Sequence, residues 1–301
     1  MANFCRVLDT DLEVEYFVDG VLCIDDKNEK RSAINNITAA ERNIKDYKQL
    51  PTLTHRDNRD FAFRDEKERL ALRKQIIKEL QELPRLDSDD DIVLGAGGAM
   101  PKTTPKREKK AFYIIGPPAA GKSGVAAKVA DLFGAYLLDS DFAKRKLPEY
   151  ANQIGSASLV HEESDALVFH TEYGALIDYC INQSLNMVIP KIGHKLKDVI
   201  TFCETVKKIG YSVYLISVDL DRQKATQRAY NRYVTTKRYV PLSLVFDGYG
   251  DQPTLNYFKI KQQYHNLYNG FAQISTDVAF ECPSILVESE NMDELSQIDW
   301  R

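Results

Sequence analysis

Three groups of residues in this chain carry chemistry by type and spacing. The stretch "GPPAAGKSG" sets Gly116, Gly121, Lys122 and Ser123 in the pattern G-x-x-x-x-G-K-[ST], with Pro117, Pro118, Ala119 and Ala120 between the glycines and Gly124 just beyond. Small residues let the backbone close around a polyphosphate, and the helix that follows adds the positive end of its dipole. Lys122 supplies a point charge toward the β and γ phosphates, and the Ser123 hydroxyl is the candidate ligand for magnesium. The stretch "LLDSDF" then places Asp139 and Asp141 two residues apart at the end of an apolar run, on one side of the chain if it stays extended. Phosphoryl transfer needs a carboxylate to orient or deprotonate the acceptor hydroxyl, a metal on the phosphates, and cations to absorb transferring charge. Asp141 is the candidate base; Asp139 either helps the metal or caps the next helix. Finally, Arg228 and Arg232 stand one turn apart on a helix that Asp221 can cap, and Arg238 follows before Pro241. Arginines suit a bidentate grip on phosphate oxygens, whereas Arg222 and Lys224 read as a solvated face.

The elements that must position these groups follow from periodicity. Short apolar strands are expected at 111–115, 135–139, 186–189, 212–218 and 284–288, alternating with helices at 122–133, 162–183, 195–209 and 222–234. Alternation of this kind predicts an α/β fold, a parallel sheet with helices on both faces, whose ligands sit at the carboxyl ends of the strands. "DGYG" at 247–250 reads as a turn, and no guanine-reading N-K-x-D occurs. Upstream, "VEYFVDGVLCID" flanks Asp19-Gly20 with apolar runs and predicts a hairpin. "FRDEKERLALRKQIIKELQEL" predicts an amphipathic helix with Leu72, Ile76, Leu80 and Leu83 on one face. Residues 84–110 are acidic, then glycine-rich, then basic, and read as a solvated linker. The expected organisation is a mainly helical extension over 1–94 and a phosphate-loop unit over 95–301.

Composition bounds the partners. The 301 residues carry 40 basic and 44 acidic side chains, a formal net charge of -4, which disfavours long nucleic acid as a ligand. No apolar run is long enough to span a bilayer, and the N-terminal stretch is too acidic for a secretory leader, so a cytoplasmic location is expected. Five scattered cysteines show no metal or redox spacing and read as plain thiols.

Taken in order, "GPPAAGKS", "DSDFAKRKLP", "HEES" and "GYSVYLISVDL" leading to Arg228 and "KRYVP" resemble the zeta-toxin-like P-loop kinases of bacterial toxin–antitoxin systems. The resemblance covers about Gly95 to Glu288. It implies an adenylate-kinase-like sheet, ATP with Mg2+ as donor and Asp141 as catalytic base. It also implies Lys122 and Ser123 on phosphate and metal, and Arg228 and Arg238 on the transferred charge. Glu162 or Glu163 has the register of the family's acceptor-binding acid. Asp139, Lys191 and Arg232 complete the expected acceptor side. The best-known activity is phosphorylation of a UDP-N-acetylated amino sugar; a related branch phosphorylates NAD on a ribose hydroxyl. A nucleotide-linked small molecule is therefore the expected acceptor, and an antitoxin the expected protein partner. This chain departs from the family at Leu147, where a histidine is common, and at Pro190-Lys191-Ile192-Gly193, where an acid, a glycine and a threonine are common. Two other readings stand beside the toxin-like kinase: a regulatory module with weak ATPase activity, and a housekeeping small-molecule or polynucleotide kinase. The extension either packs on the kinase unit or gates its cleft.

Overall fold

The computed structural model describes residues 5–47, 50–151, 155–279 and 282–301. The sheet is built from β1 (Lys110–Ile115), β2 (Tyr136–Leu137), β3 (Met187–Pro190), β4 (Ser212–Asp219), β5 (Gly270–Ser275) and β6 (Ile285–Glu290). Its order is β2-β3-β1-β4-β5-β6, parallel throughout except for β6, which runs antiparallel to β5. Central β1 is buried from Ala111 to Ile115, the continuous apolar run that a strand covered on both faces requires. Successive side chains of β1 show the two layers. Phe112 stacks at 4.3 Å on Phe133, just past α4 (Lys122–Leu132), while Tyr113 meets Phe202 of α9 (Leu196–Lys208) at 5.1 Å. The intervening helices are α5 (Ser140–Lys146), α6 (Ser156–Leu159), α7 (His161–Phe169) and α8 (Leu176–Asn182); α10 (Arg222–Thr236) and α11 (Gln252–Gln263) follow β4.

Several expectations change. The helix expected over 162–183 is two helices, interrupted by a 3-10 turn at Thr171–Tyr173 and by Gly174 in the left-handed region. Strand β5 and helix α11 were not foreseen, because Gln273 and Asn256 interrupt their apolar patterns; both polar side chains are spent on internal hydrogen bonds. The "DGYG" turn is the end of a π-helical segment, Leu244–Tyr249.

The predicted hairpin is helical: α1 (Asp11–Phe17) runs into a π-turn at Val18–Leu22. Val14, Phe17, Val18, Val21 and Leu22 are all buried, at helical spacing, and the period of 3.6 overrides the Asp19-Gly20 signal. Two further helices complete the extension, α2 (Lys27–Tyr47) and α3 (Glu66–Glu82). The expected face of α3 is confirmed at Leu72, Ile76 and Leu80, which are buried. Residues 84–110 are no solvated hinge. Arg85 N–H donates to Met100 O at 2.9 Å, and Leu137 N–H donates to Ala99 O at 2.9 Å, so the glycine stretch continues the sheet edge. A Cβ on Gly98 would fall 2.2 Å from the Leu83 carbonyl oxygen, so this glycine serves close approach rather than flexibility.

The strongest bond between extension and sheet unit is ionic. Arg69 of α3 is fully buried and donates to Glu149 at 2.8 Å and to both oxygens of Glu163, at 2.7 and 2.5 Å. Arg73 and Thr52 complete the shell of Glu163, at 2.7 and 2.5 Å. These donors hold the Glu163 carboxyl at about 2, against the burial that pushes it up. Removing one member of such a pair strands a buried charge. Arg69→Ala is therefore expected to lower unfolding stability by about 3–5 kcal/mol in denaturant titration; a loss below about 1 kcal/mol would contradict it. A folded-state value near 2 means that this contribution is retained at pH 5 and lost only as the pH falls through the acid range.

Candidate active site

The phosphate loop joins β1 to α4 as expected. A Cβ on Gly116 would lie 2.3 Å from Val218 O, so the loop leaves β1 pressed against the end of β4. Ala119 (φ 61°) and Gly121 (φ 80°) are both left-handed, the backbone turn that forms an anion-binding concavity. Thr276, just past β5, braces the loop from behind, its hydroxyl donating to Ala120 O at 2.8 Å. The Lys122 ammonium folds back on the loop and donates to Gly116 O at 2.8 Å and Pro117 O at 2.6 Å. No carboxylate pairs with it among the described residues. Burial pushes Lys122 down to about 7, opposed by Asp139 through space and reinforced by Arg232. The Ser123 hydroxyl is exposed and meets no protein partner among the described residues, as a metal ligand must be free to do. Nor do the described residues contain a cluster of three His, Cys, Asp or Glu able to hold a metal on their own.

Beyond β2, Asp139 caps α5 by accepting from Asp141 N–H at 2.9 Å. Of its two expected jobs, capping is the one present. Burial raises its carboxyl above the usual range, against the pull of Arg238 and Lys144. Asp141 is neither turned into the core nor sealed: its side chain keeps 28% of its exposure. It is gripped from two sides, by Lys144 one turn along α5 at 2.8 Å and by Arg238 from the turn after α10. Lys144 was legible as an i, i+3 partner on a helix starting at Ser140 but was not recognised, because the helix boundary was unknown.

The three arginines separate. Arg238 reaches Asp141. Arg232 lies within electrostatic reach of Lys122, its Nε buried without a hydrogen-bond partner and its guanidinium without an ion pair among the described residues. Arg228 points elsewhere. It donates to Thr276 O at 2.9 Å and lines a cavity of about 480 Å³ with Lys224, Gln227, Asn231, Asp277 and Val278. Of the two arginines expected on the transferred charge, Arg238 is held by Asp141 and Arg228 by the Thr276 carbonyl.

On the acceptor side, Glu163 is a correction: it is fully buried in the Arg69 network and is unavailable to a ligand. Glu162 stays exposed at the start of α7. The neighbouring acid on α7 that pairs with an expected acceptor-side residue is Asp165, one helical turn from His161. It accepts from Ser140 Oγ at 2.8 Å and from Lys191 Nζ at 2.9 Å. Lys191 also lies 3.7 Å from the centre of the Phe169 ring, so both its charge and its stem are fixed. Nothing in its spacing singles out Asp165 in the sequence; the fold does so by bringing Lys191, just past β3, beside it.

A free lysine near 7 that must be charged on a phosphate makes ligand binding take up a proton. The affinity for a non-hydrolysable nucleoside triphosphate analogue should fall from pH 7.5 to 9, by up to about tenfold per unit, as the free lysine loses its proton. Calorimetric titration checks this; an affinity flat over that range, or equal slopes in wild type and Lys122→Met, would contradict it.

Among curated proteins none matches this chain. Solved structures similar to it include the PezAT chromosomal toxin–antitoxin system of Streptococcus pneumoniae, at 14% identity and TM-score 0.41, covering 62% of this chain and 73% of that one. AvrRxo1-ORF1:-ORF2 with ATP is similar at 16% identity and TM-score 0.46, covering 77% and 70%. The same pair with sulphate ions gives 18% identity and TM-score 0.45 over 77% and 70%. The family model for zeta toxin matches residues 98–249, from the buried glycine stretch through the phosphate loop, Asp141 and all three arginines. That is half of the chain, and with this loop, this sheet order and this carboxylate in place the protein belongs to the zeta toxin family of P-loop kinases.

Proposed function

We propose that the protein transfers the γ-phosphate of ATP to a hydroxyl of a nucleotide-linked small molecule, of the UDP-N-acetylglucosamine or NAD type. Two observations support this reading: the grip of Arg238 and Lys144 on a partly exposed Asp141, and a phosphate loop whose lysine has only carbonyls for partners. The kinase unit is proposed as 95–301, with 1–94 as its extension.

The loop from Gly116 to Gly124 binds the phosphate tail, Lys122 exchanging its carbonyl contacts for β and γ oxygens. Arg232, half-buried with an unpartnered Nε and within electrostatic reach of that lysine, is the natural charge partner for the transferring group. Arg228, which lines a separate cavity with Lys224 and Asn231, is proposed to serve the nucleoside end rather than the transferred charge. Magnesium, when bound, would sit on the Ser123 hydroxyl and neutralise phosphate charge. An incoming hydroxyl donates to Asp141, which accepts its proton as the hydroxyl oxygen bonds the γ-phosphorus and the bond from that phosphorus to the β–γ bridging oxygen breaks, releasing ADP. While both cations hold that carboxylate it is a poor base, so substrate arrival must draw Arg238 toward the phosphoryl group. Lys191 and Asp165 line the acceptor side with a fixed cation, which suits an acceptor that itself carries phosphate. An antitoxin partner and a cytoplasmic site of action are proposed on family membership alone.

The test is incubation with labelled ATP, magnesium and a panel of UDP-sugars, dinucleotides and nucleosides, followed by mass analysis. One panel member should gain one phosphate. Asp141→Asn should lower that transfer by about 10²–10⁴-fold, while analogue binding changes only severalfold. Transfer unchanged in Asp141→Asn, or release of inorganic phosphate with no acceptor modified, would contradict the reading.

A further inference from the structure

Helix α10 carries Arg228 and Arg232 one turn apart and is held at other positions by residues of the N-terminal helices. Gln223 donates to Val21 O and Gln227 to Leu22 O, at 3.2 and 3.3 Å, so the π-turn after α1 grips the start of the helix. Tyr233, ten residues along, donates from its hydroxyl to Asn36 O of α2 at 3.2 Å. One further contact lies past the helix. The Tyr239 hydroxyl donates to Glu41 Oε1 of α2 at 2.5 Å, and the Leu242 backbone N–H is a second partner of the same carboxylate. Tyr239 is buried, packed edge-on against the Tyr233 ring at 4.8 Å. Its chain neighbour is Arg238, the residue on Asp141. Lys237 before it is left-handed (φ 59°), so the chain turns sharply there and needs an anchor to return in a defined direction.

We propose that Glu41, in the N-terminal extension, is a positioning residue for phosphoryl transfer: by holding Tyr239 and Leu242 it fixes the turn that aims Arg238 at Asp141. The extension is then a splint for the arginine-bearing arm, neither a passive extra layer nor a cover over the cleft. Three features of the contact support this. Glu41 belongs to a helix whose Ile37, Ala40 and Ile44 are buried, so the carboxylate is presented from a rigid base. The bond spans 198 residues of sequence and joins the extension to the segment beside the reactive carboxylate. Glu41 is also half-buried, and that burial pushes its carboxyl above its usual range while Tyr239 and Leu242 pull it back. A guanidinium misplaced by about 1 Å through loss of such a support costs on the order of 10²-fold in rate.

The inference rests on reading Arg238 as a residue of the transfer site, so its test has an arm that does not use activity. In the full chain, Glu41→Ala should raise amide hydrogen exchange over 237–242 while leaving the phosphate loop and α4 protected as in wild type. Consumption of ATP with magnesium, in the presence of UDP-N-acetylglucosamine or NAD, should fall about tenfold to hundredfold in kcat, with KM for ATP within about threefold. Glu41→Gln, which still accepts from the Tyr239 hydroxyl, should recover most of the loss. Tyr239→Phe, which keeps the ring in the core, should reproduce the Glu41→Ala loss. If wild type consumes no ATP the transfer reading fails, and the exchange result still decides the splint. Unchanged exchange at 237–242 would overturn it, as would a kcat equal to or above wild type in Glu41→Ala.

Discussion

The transfer chemistry proposed for this fold depends on one carboxylate that stays accessible while two cations hold it. Asp141 lies at the start of a short helix, and its two cations come from different places: Lys144 from the same helix, Arg238 from nearly a hundred residues later. Asp139 sets the arrangement by capping that helix while lending its field to Lys122, Lys144 and Arg238. A cleft so crowded with cations tolerates them because each is either paired or, as with Lys122 and Arg232, poised for an anion that the protein itself does not supply. The loop lysine rests on the carbonyls of Gly116 and Pro117.

The extension enters the same system through buried charge. Arg69 draws Glu163 inward, and the turn of α7 that follows carries Asp165 toward Lys191 and Ser140. At the other end of the site, Glu41 and Asn36 hold the segment bearing Arg238. Lys146, buried on Glu79 and on the carbonyls of Val93 and Ala96, ties the end of α5 to α3 and the glycine stretch. Both walls of the cleft therefore lean on residues before 94. An extension that merely covered the cleft would leave these supports unexplained.

The phosphate loop and the parallel sheet were legible in the sequence because they are local: a strand, a glycine loop and a helix follow one another within twenty residues. Asp141 and Arg238 were legible as types at family positions. Their contact was not, since nothing in the spacing says that residues 141 and 238 meet. Glu163 shows the limit of register arguments. Adjacent helical residues point about 100° apart, and which of Glu162 and Glu163 turns inward is decided by an arginine on a different element. The hairpin reading failed for a related reason. A two-residue turn signal was weighed above five apolar residues at helical spacing, all of which are buried. Gly98 was read as slack, and it is the point of closest approach between two chain segments.

The account's central claim is that the Lys122 loop and the Asp141 carboxylate address one reacting centre. A crystal structure of the full chain with ADP, magnesium and a planar fluoride mimic of the transferring phosphoryl group tests it directly. The claim predicts Lys122 and Arg232 on the fluoride, Arg238 moved off Asp141 toward it, and the Asp141 carboxylate within about 3 Å of the in-line position where an acceptor oxygen attacks. A mimic held by the loop with Asp141 still clamped by Arg238 and Lys144, facing away from the in-line position, would contradict it.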